Sequence, residues 1–114
     1  MIFNTKRTAE VVIDGVTFTC HYPDALEQAQ LLDSISANDV EGCGHIIPLA
    51  KVFFEIAIDK IDGLVDDLGN AVEYPKVDGK VPMDFVQGFS LGNLNAIVEA
   101  VIALSEARKD IKKK

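Results

Sequence analysis

Residues 9–28 read Ala9-Glu-Val-Val-Ile-Asp-Gly-Val-Thr-Phe-Thr-Cys-His-Tyr-Pro-Asp-Ala-Leu-Glu-Gln28. Two β-rich runs, 9–13 and 16–21, flank Asp14-Gly15. That dipeptide supplies the positive φ values a two-residue type I′ turn needs, so 9–21 is predicted to be a β-hairpin. Strand alternation puts Val16, Phe18 and Cys20 on one face, and Thr17, Thr19 and His21 on the other. Tyr22-Pro23 breaks the strand. Asp24 then stands as an N-cap with Glu27 three residues on, the spacing of a capping box. A helix is expected over 24–36, with Leu31, Leu32 and Ile35 on its buried side, helped by Leu26 and Ala29.

Outward from this segment, residues 1–8 read as a flexible lead-in. Residues 38–45, with Gly42 and Gly44, read as a loop. Pro48 suits the first turn of a helix. The helix expected over 48–62 is apolar nearly all round, and its wet stripe follows the i,i+4 row Lys51, Glu55, Asp59. A helix of this kind is central or covered on both sides. Gly63 ends it. A turn-rich connector then fills 63–81, where Asp67, Gly69 and Asn70 favour a tight turn or a small second hairpin. A structureless stretch this long inside a small domain is usually functional or mobile. Pro82 opens a short helix over 82–88, and Ser90 caps a last helix over 91–112. In that helix Leu94, Ile97, Val101, Leu104 and Ile111 fall on a three-four spacing. Its basic end, Arg108 to Lys114, complements the helix dipole. The expectation is an α+β fold, mostly helical: an N-terminal hairpin and three to four helices in one compact domain, 1–114.

The chain has 114 residues, a formal net charge of −7 and a pI near 4.6. The length fits one domain with a real core. The charge disfavours nucleic acid and anionic membranes as partners, because binding to both relies on lysine and arginine. No secretory pattern is visible at the start, and no run reaches the ~20 apolar residues of a membrane span. A cytoplasmic protein is expected. Its two cysteines, Cys20 and Cys43, are then expected to be free thiols rather than a disulfide.

The chemical constellations are weak. Cys20, His21, Cys43 and His45 have the composition of a zinc set, but adjacent residues on a strand point to opposite faces, and structural sites usually space paired ligands by two to four residues. A nucleophile pair of Cys43 with His45 or His21 lacks any recognisable oxyanion hole or orienting partner. Asp62 to Glu73 spans a calcium-loop length, yet Leu64 occupies a ligand position and Asp67 the glycine position. Asp66 and Asp67 read as solvated turn carboxylates. No catalytic residue, metal ligand or cofactor is therefore assigned. What remains is large apolar side chains around the connector. Phe53, Phe54, Leu64, Val65 and Leu68 are the candidate partner contacts.

Taken as a layout, the chain resembles the tail assembly chaperones of long-tailed bacteriophages. The resemblance spans about residues 9–108. It rests on the hairpin Asp14-Gly-Val-Thr-Phe-Thr19, the helix starting Asp24-Ala-Leu-Glu-Gln28, and the segment Ile61-Asp-Gly-Leu-Val-Asp-Asp-Leu-Gly-Asn70 before a Phe-containing short helix and a last helix. The chain departs from some members in lacking tryptophan and an extended tail. The resemblance implies a non-enzymatic, self-associating protein of the host cytoplasm. Such a protein covers the hydrophobic helical tape measure protein and recruits tail tube subunits. The rival readings are a small acidic phage-encoded inhibitor or adaptor that binds a host protein, motivated by the low pI, and a small enzyme using Cys43 and His45.

Overall fold

A computed structural model describes residues 5, 7–37 and 45–112, with the side chains of Ala37 and of 105–112 left aside. The glycine loop with Cys43, and most of the lead-in, lie outside the described residues. Strands β1 (Thr8–Ile13) and β2 (Val16–His21) form the hairpin, with Ile13 opposite Val16. Asp14 and Gly15 have φ of 51° and 78°, as a type I′ turn requires. The register buries Phe18 and Cys20 and turns Thr8, Glu10 and Val12 outward. A one-residue slip would invert both faces.

Helix α1 (Ala25–Ala37) begins with the reciprocal cap. The Glu27 N–H donates to Asp24 Oδ1 at 2.9 Å, and the Asp24 N–H donates to Glu27 Oε1 at 3.0 Å. The roll of this helix differs from expectation. Leu31 is buried and Ile35 half-buried, but Leu26 and Leu32 are 67% and 64% exposed, and Ala29 is exposed as well. Polar anchors set the roll: Gln28 donates to the Pro23 carbonyl, and Glu27 reaches His21. The inward stripe therefore runs through Glu27, Gln28, Leu31 and Ile35.

The helix expected over 48–62 is two elements. Helix α2 (Ile46–Ala57) stops at Ala57, and Ile58–Asp62 forms β3, antiparallel to β2, completing a sheet of order β1-β2-β3. The physical reason is a bulge. Thr19 pairs with Lys60 while Cys20 pairs with Ile58, which leaves Asp59 as an extra residue on β3. The extra residue lets Ile58 and Ile61, three apart, both face the core. A spacing of three is a helical signature, so the bulged strand reads as a helix. Asp59 consequently leaves the polar row, while Lys51 and Glu55 keep it with a 2.7 Å ion pair.

Helices α3 (Met83–Gln87) and α4 (Leu91–Lys112) follow the connector. The Asn93 N–H donates to Ser90 Oγ at 3.2 Å, so Ser90 caps α4. Leu94, Ile97, Val98 and Val101 are buried, and α4 packs on α2. Helices cover one face of the sheet around a single core. The fold is α+β, about half of it helical. No helix among the described residues is long and apolar enough to cross a membrane.

Candidate interaction surface

The connector has little regular structure, yet it is firmly tied to the body. The Tyr74 hydroxyl lies 3.0 Å from the Phe54 carbonyl and 2.9 Å from the Ile58 carbonyl, so it caps the junction of α2 and β3. Lys76 Nζ donates to the same Ile58 carbonyl at 3.0 Å. The Val81 N–H donates to Glu55 Oε2 at 2.9 Å. Burial works against the charge of Glu55, but Lys51 and the Val81 N–H outweigh it and hold the carboxyl below its ordinary range. Burial pushes the Tyr74 phenol well above its ordinary value, so it remains a donor.

Within the connector, Val65 bridges to Ala71, and the Asp66 carboxylate accepts the N–H groups of Leu68 and Asn70 at 2.9 and 2.8 Å. This is the small second hairpin, closed by an Asx turn. These backbone donors lower the Asp66 pKa. Asp78 and Gly79, with φ of 53° and 75°, make another tight turn between Val77 and Lys80.

The five candidate contacts separate. Phe53 and Phe54 are fully buried, which corrects their assignment as partner contacts. α2 is the central helix, and the Phe54 ring stands 5.5 Å from Phe89, 5.7 Å from Phe85 and 6.1 Å from Tyr74. These side chains are the core. Leu64 is half-buried against it. Only Val65 and Leu68 face solvent, at 58% and 82% exposure. Val77 is exposed on the next turn.

Strand alternation placed His21 on the face opposite Cys20, and there the structure gives it two carboxylate partners. Its Nδ1 sits 2.9 and 3.1 Å from the Asp59 carboxylate oxygens, and its Nε2 sits 2.8 Å from Glu27 Oε2. The bulge presents Asp59 to the ring, and the capping box fixes Glu27. Ionised carboxylates only accept, so the pairing is complete when both ring nitrogens carry protons, as in the imidazolium form. Burial disfavours that charge, but the hydrogen bonds to Glu27 and Asp59 prevail and raise the pKa. The capping box gave half of this signal. The partner 38 residues away in sequence gave none.

Cys20 lies on the opposite face from His21, buried, with its thiol directed at the Phe18 carbonyl. Burial and the nearby Asp59 push its pKa up to about 11, which leaves little thiolate at neutral pH. The proposed pairings with Cys43 lie outside the described residues. Among the described residues, no three His, Cys, Asp or Glu side chains are placed to hold a metal ion. Compared with protein-family models, with curated proteins and with solved structures, the chain matches none.

Proposed function

We propose that this chain is a non-enzymatic protein-binding component of the tail assembly chaperone kind, covering an apolar helical client through its connector. The observation that carries the reading is Leu68. A large aliphatic side chain stands 82% exposed on a turn whose backbone is stapled by Asp66, with Val65 beside it. An isolated exposed leucine needs no explanation; one held on an anchored, ordered turn beside further apolar surface supports a contact site. In this reading the client is a phage tape measure protein, tail tube subunits are recruited in the host cytoplasm, and the chaperone self-associates. The net charge of −7 keeps the client-free protein soluble.

Co-expression with a tape measure fragment tests this directly. The wild-type chain is expected to raise the soluble fraction of the fragment and to co-purify with it. Val65→Ser combined with Leu68→Ser is expected to lose both effects while remaining folded. A fragment that stays insoluble beside abundant wild-type chain ends the proposal. Native mass spectrometry checks the self-association, and a strict monomer counts against it.

A further inference from the structure

Between the hairpin turn and the start of α4 lies a cavity of about 260 Å³. Its walls come from residues 13–18 of the hairpin, residues 63–65 and residues 88–93. Val16, Phe18, Leu64 and Phe89 give it one apolar side, Asp14, Ser90 and Asn93 add polar groups to the rest, and the exposed Val65 also lines it. The volume falls below the roughly 300–1,000 Å³ of small-molecule sites and suits a single large side chain.

The chain segments that build its walls carry carboxylates and no basic residue. Each wall belongs to a stretch without lysine or arginine: 8–50, 61–75 and 81–107. Asp14 is the only ionisable residue in the lining. Asp62, Asp66 and Asp67 flank the 63–65 wall in sequence. Asp62 has a 3.6 Å ion pair with Lys60, and Asp66 is engaged by backbone N–H groups. Lys60 offsets Asp62, so the acidic excess rests on Asp14, Asp66 and Asp67.

We propose that this cavity receives one large apolar side chain from a partner segment flanked by lysine or arginine. The inference rests on the reading of the chain as a protein-binding component and specifies the chemistry of what it binds. The apolar wall holds the side chain, and the acidic rim selects the flanks. Exposed charges act weakly and are screened by salt, so the flanks contribute discrimination and on-rate more than affinity.

The probes are three synthetic labelled peptides: one Phe between two pairs of lysines, the same Phe between two pairs of glutamates, and Ala between two pairs of lysines. Amide chemical-shift mapping locates binding, and fluorescence anisotropy measures it at low and high salt. The lysine-flanked Phe peptide is expected to shift Val16, Leu64, Val65 and Phe89, and to weaken as salt rises. The alanine peptide is expected to bind at least about tenfold more weakly, the scale of one lost apolar anchor, and the glutamate-flanked peptide about threefold more weakly, with that gap closing as salt rises. Asp14→Asn with Asp67→Lys, both at exposed turns, is expected to abolish the preference for lysine flanks while Phe still binds better than Ala. Equal binding of the two Phe peptides, or shifts mapping away from the cavity, overturns the inference. Client rescue by co-expression is read separately, so either result stands without the other.

Discussion

At the scale of single residues, His21 joins three elements that no local sequence signal connects. Its imidazolium ties β2 to the bulged residue of β3 and to the cap of α1. Its pKa is raised above 6.5 in the folded chain. A raised histidine contributes stability that is fully present below its unfolded pKa and is lost as pH rises through the folded pKa. Relative to His21→Gln, the wild-type melting temperature is therefore expected to fall from mildly acidic toward alkaline pH. In thermal melts across that window, the variant's difference should shrink as pH rises. Below the unfolded pKa the variant should cost about 1 kcal/mol, allowing for solvent screening of a partly exposed site. Tyr74→Phe is a second residue-scale test. It removes the hydroxyl shared by the Phe54 and Ile58 carbonyls and is expected to cost about 1–2 kcal/mol in denaturant unfolding, with the ring packing kept.

At the scale of elements, local signals were legible and long-range ones were not. The hairpin turn, the capping box and the Ser90 cap are each specified within a few residues, and each appears in the structure. Strand β3 was hidden because its bulge gives Ile58 and Ile61 the spacing of a helix face. The edge of β2 that captures this strand lies about forty residues earlier, outside any local window. Helix α1 shows a related limit. Its apolar residues do not all lie on one face, and a contact to His21 decides which ones go inward. Leu31→Ala is therefore expected to cost about 2–4 kcal/mol, while Leu32→Gln, one position on, should stay within about 0.5 kcal/mol. Chemical denaturation of the two variants separates the observed roll of α1 from one that buries both leucines equally.

At the scale of the whole molecule, the apolar surplus that motivated the partner contacts divides into two populations with opposite consequences. The aromatic rings of Phe18, Phe54, Phe85, Phe89 and Tyr74 form one connected core joining the sheet, α2, the connector and α3. Sequence could count these side chains but could not sort them, because burial of Phe54 depends on a connector that returns about twenty residues later to cover it. Val65 and Leu68 stay largely exposed, at 58% and 82%, beside and on the turn that Asp66 closes. Stability and binding should therefore be separable by substitution. Phe54→Ala is expected to cost about 3–5 kcal/mol, a large share of the roughly 5–15 kcal/mol that holds a domain together. Its effect on client solubility would follow from unfolding. Leu68→Ser is expected to leave the denaturation midpoint unchanged within error and still abolish client co-purification. Measuring both quantities on both variants distinguishes a surface that binds from a core that merely supports it. A Leu68→Ser protein with a lowered midpoint would place the leucine in the fold instead and remove it from the interface.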